Sequence, residues 1–327
     1  MGNPADGMET ILTDEAKKFI EEWLNPLPYV VAHTSGSTGT PKEIRLLKSD
    51  MRSSARATIE FFGLDSRSHL HLPLSPDYIA GKMQIVRALE SGASLTVETA
   101  SNRPLAACLT AASRRISLLP VVPSQVNGLL ESPLCQRIDN LIIGGAPLSA
   151  ADEERIISTG LRAFATYGMT ETCSHVALRR LGTDCFSALP GFRFSTDGRD
   201  CLVIRSATLS FGELVTNDLV ETACDTSFRW IGRIDNVINS GGLKISPEEI
   251  EKKIAPLFAP ETTFYLTSRQ SSRWGEEMVL VTDMPGPYDE ISERIESVTG
   301  HLRAPKAIIF DPDIRRTSSK KIIRKKF

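Results

Sequence analysis

Apolar residues recur along the chain in two rhythms, and the switches between them mark out short elements. Residues 13–24 carry apolar side chains at helical spacing behind Thr13, whose hydroxyl suits an N-cap, so a helix is expected there. Tyr29-Val30-Val31-Ala32-His33 predicts a short buried strand. After a Gly/Ser/Thr segment, Ser49 reads as the cap of a helix that runs to Phe62 and stops at Gly63. Residues 69–74 and 94–98 read as strands on either side of a helix over 81–91. Further strands are expected at 116–119 and at Leu141-Ile142-Ile143, the second closing in Gly144-Gly145. Ser149-Ala150-Ala151-Asp152 has the spacing of a capped helix start. This alternation predicts an α/β domain with a largely buried sheet flanked by helices.

The rhythm changes after about Trp230. Ser246-Pro247-Glu248-Glu249 combines a serine cap, a proline where its missing N–H costs nothing, and acidic residues in the first turn. Strands over 262–266 and 278–282, a helix over 289–298 and a strand over 306–310 complete a compact α+β unit. The expected organisation is a large α/β domain, residues 1–234, and a small α+β C-terminal domain, residues 235–327. No internal repeat or low-complexity tract interrupts either.

Composition narrows the class. The chain has 327 residues, 41% apolar and 24% charged, with a net charge of −2, so no global field draws it to polyanions or anionic membranes. Residues 315–326 are basic but lack an aromatic stacking platform, which argues against nucleic acid as a partner. Six cysteines without C-x-x-C spacing point to reduced thiols rather than a zinc site or disulfide framework. No signal-like start and no apolar run near the roughly 20 residues of a membrane span are present, so a cytoplasmic protein is expected.

The chemistry concentrates in a few segments. Thr34-Ser35-Gly36-Ser37-Thr38-Gly39-Thr40-Pro41-Lys42 directly follows the strand at Tyr29. Glycines let backbone N–H groups approach a polyphosphate, hydroxyls add donors, and Lys42 adds a point charge. The spacing is not that of a Walker A loop. It resembles the phosphate loop of the adenylate-forming superfamily of acyl-CoA synthetases, luciferases and peptide-synthetase adenylation domains, [ST]-S-G-[ST]-T-G-x-P-K-G, with Glu43 in place of the last glycine.

Further motifs of that family follow in order. Gly144-Gly145-Ala146 resembles the segment that lies along the adenine. Tyr167-Gly168-Met169-Thr170-Glu171 matches Y-G-x-T-E, which implies Tyr167 and Gly168 beside adenine, Thr170 on phosphate and Glu171 on Mg²⁺. Thr216-Asn217-Asp218 stands where the family has T-G-D, so Asp218 is expected to accept the ribose hydroxyls. Asn217 is tolerable for the glycine because Asn also visits positive φ. Residues 232–251 resemble G-R-x-D-[DN]-x-I-x-x-x-G-x-x-[IV]-x-P-x-E-[IV]-E throughout. By that likeness Arg233 contacts ribose or phosphate, Asp235 is the hinge of a mobile C-terminal domain, and Gly241-Gly242 borders the pantetheine tunnel. Arg316-Thr317-Ser318-Ser319-Lys320-Lys321-Ile322 resembles R-T-x-x-G-K-[IV], which places the catalytic lysine at Lys321, with Lys320 as the neighbouring alternative.

The resemblance implies an ATP- and Mg²⁺-dependent acid–CoA ligase that forms an acyl-adenylate and then a thioester. Residues 171–178, Ser240-Gly241-Gly242 and Ser117 to Gln125 are most similar to the 2-succinylbenzoate–CoA ligases of menaquinone biosynthesis. Tyr78, Lys82, Ser174 and His175 are candidates to hold that acid. For His175 a helix-surface position, and for Tyr78 a core position, serve equally. Alternatives are another aryl or short-chain acid, a carrier protein as acceptor, or a non-catalytic nucleotide-binding module. Only about thirty residues precede the phosphate loop, fewer than is usual in the family, which suits a partner or a homodimer that completes the acyl pocket.

Overall fold

The computed structural model describes residues 12–33, 43–106, 114–317 and 322–327. α1 (Asp14–Leu24) begins as expected, with Thr13 Oγ1 accepting the Ala16 N–H at 3.3 Å. It buries Ala16, Phe19 and Trp23. β1 (Tyr29–His33) pairs antiparallel with β2 (Glu43–Leu47), and α2 (Lys48–Phe62) leaves β2 without a linker. Leu47 therefore occupies the N-cap position without a side-chain hydrogen bond, and Ser49 lies inside the first turn instead of capping it. The other end follows the pattern: Gly63 closes α2 in the left-handed region at φ +66°.

β3 (His69–Leu72) and β4 (Ser94–Val97) are parallel, joined by α3 (Ile79–Ser91), whose residues 81–88 are all buried. β5 (Leu119–Val121) starts three residues later than the pattern predicts; Ile116 and Leu118 make isolated bridges to Ile138 and Leu70. α4 (Val126–Leu130), β6 (Leu141–Ile143) and α5 (Ala150–Ser158) follow. Ser149 caps α5, its Oγ 3.0 Å from the Asp152 N–H.

Seven strands then run almost without interruption: β7 (Ala163–Gly168), β8 (His175–Arg180), β9 (Cys185–Ala188), β10 (Phe192–Thr196), β11 (Cys201–Ser206), β12 (Glu213–Cys224) and β13 (Ser227–Arg233). Among the described residues they join β5 and β6 in a nine-stranded sheet of order β10-β11-β12-β13-β9-β8-β7-β6-β5. Only β5, β6 and β7 are mutually parallel; every other neighbour pair is antiparallel. The sheet is thus mixed, which antiparallel meanders appended to a βαβ core produce.

The last third forms a separate sheet. β14 (Ile238–Ser240) and β15 (Leu243–Ile245) make a hairpin whose two-residue turn, Gly241-Gly242, has φ +56° and +84°. Both values are positive, as a type I′ turn demands. α6 (Pro247–Ile254) follows, with Ser246 at its N-cap position, but the Ser246 hydroxyl donates to Ile231 O at 3.2 Å and does not cap the helix. β16 (Phe264–Ser271), β17 (Gly275–Thr282), α7 (Asp289–Thr299) and β18 (Ala307–Phe310) complete it, β18 running parallel to β17. Its core, including Ile238, Ile250, Leu266, Leu280 and Ile295, is distinct from the two clusters of the larger sheet. The five described cysteines are all unpaired, and no described helix is long and apolar enough to cross a membrane.

Candidate active site

The carboxyl ends of β5, β6 and β7 lie side by side, in register Val121↔Ile143 and Ile143↔Ala165. Open α/β sheets bind ligands just beyond such ends. Gly144 N–H donates to Val121 O at 3.1 Å, holding the segment after β6 against β5. A β-carbon on Gly144 would lie 2.4 Å from Thr166 Oγ1, so Gly144-Gly145-Ala146 can pass β7 closely only because the first residue has no side chain.

Tyr167, the penultimate residue of β7, meets Asp218 and Arg233 here. Its ring packs edge-on against Phe228 and Phe186, with centroids 5.0 and 5.8 Å away. Its hydroxyl donates to Asp218 Oδ2 at 2.6 Å. Burial and the Asp218 charge drive the Tyr167 hydroxyl well above its ordinary pKa, so it remains a donor. Asp218 on β12 sits directly opposite Arg233 on β13. Asp218 Oδ1 is 3.5 Å from Arg233 Nη1 and accepts from Trp230 Nε1 at 3.4 Å. Arg233 Nη2 reaches Asp235 Oδ2 at 2.9 Å. Burial opposes the Arg233 charge, but Asp235 and Asp218 outweigh it and raise its pKa. A carboxylate offers about four acceptor positions. Asp218 therefore keeps capacity for sugar hydroxyls beside its protein partners. Asn217 does not use positive φ: it continues β12, and its amide donates to Asp235 at 3.3 Å.

Beyond Gly168 the chain tightens into a 3-10 turn, Thr170–Thr172. Thr172 Oγ1 accepts the Met169 N–H at 3.0 Å and donates to Ser174 O at 2.7 Å. Cys173 is left-handed at φ +62°. This knot leaves Thr170 half-buried and Glu171 exposed. Among the described residues no group of three or more His, Cys, Asp or Glu could hold a resident metal. A single exposed carboxylate fits Mg²⁺ differently, as one oxygen ligand to a cation that arrives on nucleotide phosphates.

His175 corrects one expectation. It opens β8 and is 6% exposed, not on a helix surface. Its Nε2 lies 3.1 Å from Thr58 Oγ1 and its Nδ1 3.4 Å from Ser174 Oγ. Burial, with the nearby Arg87 charge, keeps the ring neutral by pushing its pKa well below the ordinary value. Arg87 is the residue that sequence reasoning missed. It is 1% exposed and donates to Ser174 Oγ at 2.7 Å and Gln84 Oε1 at 3.4 Å, while its Nε has no hydrogen-bond partner. Burial alone lowers its pKa to about 9. No carboxylate among the described residues pairs with it. An arginine between Val86 and Ala88, in a helical run that shows no solvent face, was the available signal.

The other two acid-pocket candidates lie elsewhere. Lys82 turns to α1, its ammonium 4.5 Å above the Phe19 ring and 3.7 Å from Glu22 Oε2. Tyr78 is not core; it is 56% exposed, at the N-cap position of α3. The phosphate-loop residues Thr34, Ser35, Gly36, Ser37, Thr38, Gly39 and Lys42, and the lysines Lys320 and Lys321, lie outside the described residues.

Known proteins share this arrangement of elements. Among curated sequences, the 2-succinylbenzoate–CoA ligase of Escherichia coli (strain K12) is 25% identical over 288 residues, covering 83% of this chain and 62% of that relative. A solved structure from Dyadobacter fermentans DSM 18053, an acyl-CoA synthetase (AMP-forming)/AMP-acid ligase II-like protein, is 34% identical. It aligns over 94% of this chain and 91% of its own, with a TM-score of 0.64. The O-succinylbenzoate coenzyme A synthetase of Bacillus subtilis, solved with ATP and a magnesium ion, has a TM-score of 0.75 at 20% identity, covering 90% of this chain and 68% of that one. The family model for AMP-binding enzymes matches residues 6–193. With more than half of its length in that match, the chain is a member of the AMP-binding enzyme family.

Proposed function

We propose that the chain is an AMP-forming acid–CoA ligase, with 2-succinylbenzoate as its acid. The observation that carries this reading is the junction of Tyr167, Asp218 and Arg233 beside the carboxyl ends of β5, β6 and β7. It supplies an aromatic wall, a buried ribose acceptor and a cation in one place, in the order that the motifs require. In the first step a carboxylate oxygen of the acid bonds to the α-phosphorus of ATP, and the bond to pyrophosphate breaks. Both reactants are anions, so positive potential dominates the barrier. The loop N–H groups with Lys42, Thr170, and Lys321 supply it, and Mg²⁺ held at Glu171 adds charge when bound. Losing one such preorganised donor costs about 10²- to 10³-fold in kcat. In the second step the CoA thiolate bonds to the acyl carbon and AMP leaves, as residues 235–327 pivot at Asp235 against residues 1–234.

Arg87 bears on which acid is used. Its buried guanidinium, with no carboxylate partner among the described residues, stands behind the Ser174 hydroxyl. An acid with a second carboxylate, as 2-succinylbenzoate has, would set that anion against Ser174 and relieve the uncompensated charge. The names of the curated relative and of the Bacillus subtilis structure support the same acid.

Pyrophosphate release from a panel of carboxylic acids, with and without CoA, tests the reading. Thioester formation with 2-succinylbenzoate is expected. Turnover with a monocarboxylate alone would replace the acid, turnover indifferent to CoA would point to a carrier protein, and no ATP turnover would end the ligase reading. Lys321→Ala is expected to abolish ATP–pyrophosphate exchange yet spare thioester formation from pre-made adenylate. Undiminished exchange in that variant would remove Lys321 from the mechanism.

A further inference from the structure

The last residues of the chain are held by contacts that a solvated basic tail would not have. An isolated antiparallel bridge joins Arg316 to Ile322, and Ile323 N–H donates to Arg315 O at 2.9 Å. Further on, the tail lies along β16. Thr267 Oγ1 donates to Lys325 O at 2.7 Å, Phe327 N–H to Ser268 O at 3.0 Å, and Gln270 N–H to Phe327 O at 3.1 Å. Lys325 and Lys326 face Asp311 and Glu276, at 3.4 and 3.8 Å, so both have acidic neighbours.

Arg324 sits between these two attachments. Its guanidinium forks onto both oxygens of Glu251, with Nη2 2.8 Å from Oε2, and Nη1 also donates to Leu266 O at 2.7 Å. Glu251, on α6, accepts the Leu266 N–H at 2.6 Å. Three elements are thereby closed into one ring: α6 through Glu251, β16 through both backbone groups of Leu266, and the tail through Arg324. The two side chains are only 22% and 18% exposed, and the guanidinium lies 5.9 Å from the Tyr265 ring centre. Such a pair needs planar, two-point geometry, which lysine does not offer.

We propose that Arg324, clamped by Glu251, is a positioning residue that anchors residues 322–327 and so sets the placement of Lys321 for adenylate formation. The proposal rests on the ligase reading above. Ile322, covalently next to Lys321, is pinned on one side by the Arg316 bridge and on the other by the Arg324 clamp two residues on. Loosening the clamp removes the side-chain anchor nearest Lys321 on its C-terminal side, and the backbone contacts that remain there lie further along the tail. A displacement of about 1 Å at a reacting group can cost on the order of 10²-fold in rate. The second half-reaction does not call on Lys321, so the clamp should leave it largely untouched. A structural role confined to folding would lower both half-reactions together.

Arg324→Lys, Glu251→Gln and the exchanged pair Glu251→Arg/Arg324→Glu are compared with wild type and Lys321→Ala. Measurements are ATP–pyrophosphate exchange, thioester formation from synthetic adenylate, and the thermal midpoint. For Arg324→Lys the expected result is exchange kcat down about 10²-fold with KM for ATP changed less than about 3-fold, and thioester formation within about 3-fold of wild type. Glu251→Gln, which keeps shape and one hydrogen bond, should fall between, and the exchanged pair should recover part of the loss. Equal losses in both half-reactions, or exchange unaffected in Arg324→Lys and Glu251→Gln, would overturn the proposal. Full exchange in Lys321→Ala would also overturn it, by removing Lys321 from adenylate formation, whereas no acid-dependent exchange in the wild type would overturn the ligase reading beneath it.

Discussion

His69 and His175 are held neutral by their surroundings, and that fixes a pH dependence. His69 is 7% exposed, with Ser94 Oγ 3.0 Å from its Nδ1. Burial, then the charges of His71 and Arg114, lower its pKa from 6.5 to about 4. In the unfolded chain the ring takes a proton near pH 6.5; in the fold it resists until about pH 4. Its contribution to stability is therefore complete above pH 6.5 and is lost as pH falls towards 4. That depression is worth up to about 3 kcal/mol, and His175 adds in the same direction. Urea unfolding at pH 7 and pH 4.5 should show a larger loss for wild type than for His69→Gln. Equal losses would mean that His69 carries no such strain.

At the level of elements, the turn after β7 makes the sharpest demand. A β-carbon on Gly168 would lie 2.3 Å from Ser174 O and 2.5 Å from His175 Cα, both backbone atoms that cannot step aside alone. A β-carbon on Gly144 would meet only a threonine hydroxyl. Gly168→Ala is thus expected to destabilise by about 1–3 kcal/mol and to lower exchange about 10²-fold by moving Thr170 and Glu171. Gly144→Ala should cost less in both measurements; the reverse order would show that the knot is softer than its contacts imply. The same contrast between local and distant causes explains what could be read from sequence. α1 and α5 carry their own periodicity and side-chain caps, and α7, β1 and β6 their own apolar pattern, so their sequences announce them. Ser49 and Ser246 look like caps, but β2 runs straight into α2, and Ile231 O claims the Ser246 hydroxyl. β12 is less legible because its polar and apolar residues keep no steady alternation and its last four positions are exposed. The motif residues were legible because each motif is contiguous. Arg87 was not, because Ser174 and Arg87 meet across 87 residues of chain.

Over the whole molecule, the two sheets touch through polar groups. Lys252 Nζ is 3.1 Å from Asp184 Oδ1, and Arg229 Nη1 is 3.2 Å from Glu249 Oε1. Lys252 and Asp184 are 77% and 69% exposed. Exposed pairs of this kind contribute about 0–1 kcal/mol each and weaken as salt shortens the screening length to about 3 Å at 1 M. The apolar cores do not cross this boundary. Salt should therefore widen the distance distribution between dyes placed on α5 and α7 before it lowers either unit's unfolding midpoint. An unchanged distribution at 1 M NaCl would show that the units are locked by something other than charge.

The strip of tail beside β16 has a practical side as well. By occupying the outer backbone groups of Ser268 and Gln270, Phe327 covers an edge that would otherwise be open to a neighbouring chain. Trimming residues 325–327 would expose that edge, and the shortened protein should precipitate at concentrations where the longer one stays dispersed.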